Sequence, residues 1–345
     1  MTTVLNSLKP QALVSTLIPQ TREHWINLLL ILGLVGAALL AQYLGERFYV
    51  NLASRIAIIA MAAVGLNLAL GFGGMVSFGH AAFFGLGGYV AGICAYHAFN
   101  MNPALGIGFL PEGTNQMLTI WAFTLVLSGL LGLAIGKISL GTSGVYFIMI
   151  TLAFAQMFYY FGISWPAYGG EDGLPIYLRN ELPFIDTNNR LTFFFVAAAL
   201  LLLSLWLSQR LMGSRFGAAL TMARLNPVRL ATTGVDPQPI KLMAFVISAM
   251  ITALAGALYA DLNGFVGPNM LSWHFSGELI VIVILGGVGR LYGPLAGAIL
   301  FVLMETWLGG VTRYWQFWLG LILLGVVLFA RGGLLGLLAG RDKDV

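Results

Sequence analysis

The chain has 345 residues, 59% hydrophobic and 9% charged, with a mean hydropathy of +0.89. Ordinary soluble domains carry roughly 25% charged residues, so a water-facing surface is excluded and most of the chain must be solvated by lipid. The net charge of +4 is scattered over helix ends without a basic patch or stripe, which argues against nucleic-acid binding, and the single cysteine, Cys94, excludes an intramolecular disulfide and a cysteine zinc site.

The pattern predicts an all-α, polytopic transmembrane bundle of about ten spans. Residues 1–24 read as a short cytoplasmic tail with Pro10 and Pro19; without a basic start, a long apolar region and an Ala-x-Ala exit, the first helix reads as an uncleaved anchor. Hydrophobic segments follow at about 26–44, 56–73, 78–98, 118–137, 143–163, 191–209, 241–262, 276–289, 291–308 and 315–333, several of them matching the roughly 20 residues that cross a bilayer. The membrane-spanning body is therefore 25–333, and 334–345 form a second cytoplasmic tail. Gly-rich stretches at 71–74 and 286–290 predict broken or re-entrant helices, and interrupted helices in both halves of a transporter often mark a binding site. The glycine pairs Gly88/Gly92 and Gly132/Gly136 and the series Gly289/Gly293/Gly297 permit close helix packing.

With both termini inside, the inner segments hold twelve Lys and Arg residues and the outer segments five, Arg47, Arg55, Arg179, Arg190 and Arg313. The loop 44–55 is the one poor fit. The long loop 164–190 is then external and acidic, and the long loop 210–240 cytoplasmic. In the latter, Ser214 is a plausible N-cap, Phe216, Leu220 and Ala223 share a helical face, and Asn226-Pro227 ends the helix. A second short helix runs from Pro227 to Gly234. This pair is either a docking knob for a soluble protein or an interfacial helix whose Arg215 and Arg224 reach headgroups.

Asn67, Ser77, His80, Thr151 and Gln156 are polar groups inside apolar helices, so they face protein or a water-filled cavity. They are either a solute path or helix–helix glue. Asp261, Glu278 and Glu305 fall near outer helix ends and form either an acidic vestibule or ordinary headgroup-level charges. No charge is expected clearly at the midplane, where ion-coupled carriers need one. The chain has no nucleotide site: around Lys137 the nearest approach to a P-loop lacks its first glycine and has Ile138 where Ser or Thr must bind Mg²⁺. The dispersed histidines (24, 80, 97, 274) form no metal cluster, and no catalytic arrangement is visible.

Five stretches in order resemble LivM-type permeases of branched-chain amino acid ABC importers: Gly65 to Gly92, Gly169-Gly170-Glu171-Asp172-Gly173-Leu174, Phe216 to Ala244, Ala255-Gly256-Ala257-Leu258-Tyr259, and Leu285-Gly286-Gly287-Val288-Gly289 with Tyr292-Gly293-Pro294. Where that family has an Ile-Arg-x-Asn-Glu run, this chain has Met222-Ala223-Arg224-Leu225-Asn226-Pro227, without the acidic residue. The resemblance implies an inner-membrane permease subunit that binds no cofactor. It implies four partners: a second, LivH-like permease, two cytoplasmic ATPase subunits carrying ATP and Mg²⁺, and a periplasmic solute-binding protein. It assigns ATPase coupling to Phe216, Leu220, Arg224 and Asn226, and Glu171 and Asp172 would meet the binding protein. The solute would be a branched-chain or other hydrophobic amino acid. Urea, short amides, sugars or aromatic acids are alternatives on the same architecture, and a self-sufficient channel or ion-coupled carrier is the rival of another class.

Overall fold

The computed structural model describes residues 22–101, 113–177, 179–183, 186–329 and 332–339. The tail 1–21, most of the connection after the third helix and the last residues lie outside the described residues. What is described is an all-α bundle with eight helices long and apolar enough to cross a bilayer, plus two shorter apolar ones.

The chain runs α1 (Arg22–Tyr43), α2 (Arg47–Asn67), a π-helical turn (Leu68–Phe72), α3 (His80–Asn100), α4 (Met117–Ser139), α5 (Val145–Ile163) and α6 (Arg190–Met212). Two short helices, α7 (Arg215–Leu225) and α8 (Pro227–Thr232), lead into α9 (Pro237–Asn263). Then come α10 (Trp273–Gly286), α11 (Gly293–Val311), α12 (Trp315–Phe329) and α13 (Gly333–Ala339). Each hydrophobic segment read from the sequence coincides with one of the spanning or short apolar helices. Strand β1 (Leu174–Pro175) pairs antiparallel with β2 (Phe265–Val266), which ties the 164–189 loop to the segment after α9. Local signals set the ends: Asp236 accepts the amide of Gln238 ahead of Pro237, and Asn189 accepts that of Leu191.

Helix α2 is the axis. It is apolar all round, and from Ile56 to Asn67 every side chain is buried. The outer helices instead present Leu, Phe and Trp outwards, as at Trp25, Leu29, Phe123, Leu130, Trp206 and Trp307. Only a lipid solvent tolerates that surface.

The packing of α3 on α9 depends on two glycines. A Cβ at Gly87 would meet the backbone of Ala253, and one at Gly256 the backbone of Phe84. The helices thus touch main chain to main chain. Gly132 and Gly136 of α4 face Val246, Ala249, Leu242 and Phe245 of α9, and Gly293 and Gly297 of α11 face α10. Backbone cannot give way to a side chain, so Gly256→Val is expected to destabilise by the upper part of the about 1–3 kcal/mol typical of overpacking. A lowered melting temperature of the detergent-purified protein is the readout; an unchanged one would show that α3 and α9 do not meet at these glycines.

One boundary differs from the sequence reading in a way that matters. The second helix begins at Arg47, not near 56, so Arg55 is not a loop charge. It lies two turns inside α2 and pairs with Glu305 of α11 at 2.8 Å. The poor fit of the 44–55 loop to the charge rule came from counting a paired, intrahelical arginine as an outer one.

Candidate functional site

The two glycine-rich breaks meet each other. Asn67, the last residue of α2, donates from Nδ2 to the carbonyl of Arg290 (3.0 Å) and accepts the amide of Gly289 at Oδ1 (3.1 Å). One amide side chain so ties the end of α2 to the turn after α10. The approach is close: a Cβ at Gly71 would strike the Asn67 side chain and the Gly289 backbone, and Gly289 itself has φ +78°. The π-helical turn loosens the chain here. Met75 gives its amide to Ala69, so the carbonyl of Gly71 loses its usual helical donor. Arg224 of α7 supplies a replacement, donating from a terminal guanidinium nitrogen at 2.5 Å.

Helix α7 lies with one face against this junction. Leu220 and Ala223 are buried and Phe216 half-buried; Leu220 and Phe216 pack with Ala69, Met75, Phe147 and Phe245. Ser214 is the N-cap position, but its hydroxyl turns back to donate to the carbonyl of Leu211 (2.6 Å) and caps no amide. The backward bond satisfies the end of α6 instead. Asn226, in extended conformation, accepts the amide of Arg229 and so caps α8. The opposite face of the pair exposes Met222, Leu225 and Val228, at 39%, 73% and 72%. The sequence reading missed these three, although their spacing of three residues is visible in it.

Of the five polar residues singled out as a solute path, Ser77, His80 and Thr151 come together around the start of α3, where a Cβ at Gly79 would touch both Thr151 and Ser77, while Asn67 serves the junction of the two breaks. Ser248 donates to the carbonyl of Gly65 (2.6 Å), so its one hydroxyl hydrogen is used. His80 must then carry the proton on Nε2 and donate it to Ser248 (2.7 Å), leaving Nδ1 buried without a partner. This chain links α3, α9 and α2. Ser77 accepts the amide of Gly79, and Thr151 accepts that of Phe78 while donating to Ile148. Asn67, Ser77 and Thr151 thus hydrogen-bond within the protein, His80 does so through Nε2 alone, and Gln156 is half-buried.

Of the three carboxylates, Asp261 stands apart, while Glu278 and Glu305 lie within Coulombic reach of one arginine, Arg55. Asp261 is 3% exposed and takes a short hydrogen bond from the Asn180 amide. Arg179 sits beside it over the Phe193 ring, 4.8 Å from the centroid; burial pulls this guanidinium below its ordinary value, and Asp261 opposes that shift. Glu305 holds Arg55 with both oxygens (2.8 and 2.9 Å). Glu278 alone opens on a cavity of about 460 Å³, lined also by Phe84, Tyr259, Phe275, Asn263 and Asn269. Glu171 and Asp172 are exposed on a tight turn bounded by Gly169, Gly170 and Gly173, all at positive φ. Among the described residues, no group of three or more His, Cys, Asp or Glu is placed to hold a metal.

Comparison with known proteins follows the same lines. Residues 48–331 match the family described as branched-chain amino acid transport system / permease component. The high-affinity branched-chain amino acid transport system permease protein LivM of Escherichia coli strain K12 is 25% identical over 335 residues, covering 89% of this chain and 74% of that protein. The corresponding permease protein BraD of Pseudomonas aeruginosa is 22% identical over 291 residues, covering 80% and 91%. The autoinducer 2 import system permease protein LsrC of Yersinia pseudotuberculosis serotype O:1b is 30% identical over 173 residues, covering 47% and 48%. No solved structure matches.

Proposed function

The chain belongs to the branched-chain amino acid transport system / permease component family, and from that premise we propose that it carries branched-chain or other hydrophobic amino acids across the inner membrane. It is a multi-pass permease subunit of the ABC-importer type and works with separate ATPase and solute-binding components. The second permease is a LivH-like partner, two ATPase subunits bind on the cytoplasmic side, and a periplasmic binding protein docks near Glu171 and Asp172. Both termini face the cytoplasm.

One observation carries the coupling part of this reading: α7 reaches the junction of both helix breaks through the Arg224–Gly71 bond while exposing an apolar face to solvent. Phe216 and Leu220 transmit motion from beneath, Asn226 sets the angle between α7 and α8, and Met222, Leu225 and Val228 receive the ATPases. A displacement of α7 then moves the end of α2 and the turn after α10 together, because Asn67 joins them.

The experiment is ATP-dependent uptake of L-leucine by right-side-out vesicles containing the full assembly. Leu225→Asp with Val228→Asp is expected to abolish copurification of the ATPases and uptake, while the permease stays inserted, since both side chains are exposed. Normal uptake by that double variant, leucine flux without any ATPase, or labelling of cysteines at 216–226 from outside intact spheroplasts would each overturn the reading. The autoinducer 2 permease among the relatives favours a second reading, the same machinery moving a different small polar solute; the solute bound by the cognate binding protein decides between them.

A further inference from the structure

The cavity beside Glu278 lies deeper than its place after an outer loop implies. After β2 the chain folds back into the bundle: the Leu271 side chain lies against Gly85 and Met270 against Gly88. Phe275, in the first turn of α10, packs its ring on Phe84 with centroids 4.3 Å apart. Phe84 is sixteen residues, or about 24 Å at 1.5 Å per residue, from the far end of α3 at Asn100. Helix α10 therefore starts among the spans, and its 14 residues are too few to cross a bilayer. Glu278 lies one turn further in and is exposed on the surface of this chain.

A carboxylate at that depth is costly against lipid and faces a wet cavity or protein. Its charge has no dedicated partner. Arg55, the cation within Coulombic reach of it, gives its close contacts to Glu305, so the trio carries one surplus negative charge. Among the described residues Glu278 makes no hydrogen bond or ion pair of its own. Tyr259 and Phe275, both half-buried, supply aromatic surface, which attracts cations as well as apolar groups, and the fully buried Phe84 backs them. Asn263 and Asn269 place amides on the same lining. The volume is within the about 300–1,000 Å³ of small-molecule sites.

We propose that this cavity is a recognition site for solutes that join a primary ammonium group to an apolar body, with Glu278 taking the charge. It deepens the import reading and rests on it only for the direction in which the solute then moves. The anionic end of a zwitterion would fall towards Asn263 and Asn269, away from the carboxylate.

The test uses the full assembly in membrane vesicles, with Cys94→Ala and Asn269→Cys, and labelling is read on this chain after separation from its partners, so that its one thiol reports on the cavity. A cationic methanethiosulfonate is expected to react with it about tenfold faster than an anionic one, a modest effect for a unit charge within a few ångströms in a partly wet site. L-leucine and 3-methylbutylamine are expected to slow labelling, and 4-methylpentanoate, which lacks the ammonium, is not. Glu278→Gln is expected to remove both the charge preference and the protection. Equal protection by 4-methylpentanoate, no protection by the amines, or protection that survives Glu278→Gln would overturn the proposal. The first two readouts need no variant of Glu278, so a folding defect in the Gln form cannot shelter it. ATP-driven uptake of leucine is measured in parallel in vesicles that hold the assembly with Asn269 intact. Uptake without protection removes this site and leaves the import reading; protection without uptake removes the import reading and leaves the site.

Discussion

Arg224→Ala is expected to cut ATP-driven uptake about ten- to a hundredfold while the permease remains inserted and bound to its ATPases. The reason lies in the bond to the Gly71 carbonyl. A hydrogen bond from a charged donor is worth about 1.5–3 kcal/mol, and each 1.4 kcal/mol is a factor of ten in an equilibrium. If that bond carries the movement of α7 to the helix breaks, its loss lets α7 move without them. ATP hydrolysis should then continue while transport falls. Arg224→Lys keeps a donor on a long stem and should recover part of the uptake, though a single ammonium lacks the guanidinium fork. Asn67→Ala cuts the same junction from the α2 side, so the Asn67→Ala/Arg224→Ala pair should lose less than the sum of the two single losses, as residues of one network do. Uptake at the level of the unmodified protein in Arg224→Ala, or strict additivity in the pair, would remove the junction from the coupling route.

The positions of the spans were legible because lipid imposes long apolar windows that no other constraint produces. The two breaks were legible for a related reason, since glycine runs interrupt those windows. Their meeting was not: Asn67 and Gly289 are 222 positions apart, and nothing local marks Asn67 as the residue that joins them. The face Phe216–Leu220–Ala223 was visible as a periodicity, but periodicity does not say what a face is turned towards. It is turned to the bundle, and its complement, Met222, Leu225 and Val228, is the exposed face. Ser214 had the cap residue type at the cap position, and a competing carbonyl, that of Leu211, took its hydroxyl. The depth of Glu278 was hidden because it depends on a non-helical segment folding back against Gly85 and Gly88, which hydropathy reads as an ordinary outer loop.

Arg55→Leu is expected to lower the stability of the purified protein by about 1–3 kcal/mol, less than the about 3–5 kcal/mol of a fully buried ion pair because both side chains are partly exposed, 32% and 23%. The carboxylate of Glu305 would be left in the interior of the bundle, with Glu278 as its nearest charged neighbour of the same sign. The double variant Arg55→Leu/Glu305→Leu removes both charges and should recover most of the loss, because desolvation of the pair offsets most of its attraction. Glu305→Gln should be milder than Arg55→Leu. Glu278 remains within reach of Arg55 and takes over as its counter-ion. That substitution has a second consequence at a distance: with Arg55 drawn to Glu278, the surplus charge at the cavity disappears, and the preference of an Asn269→Cys thiol for cationic reagents should fall without any change to the cavity lining itself. Thermal melts of the four forms test the first part, and labelling rates the second. Equal melting temperatures for Arg55→Leu and the double variant would show that the pair does not hold α2 to α11. An unchanged labelling ratio in Glu305→Gln would show that Glu278 and the Arg55–Glu305 pair do not share one charge balance.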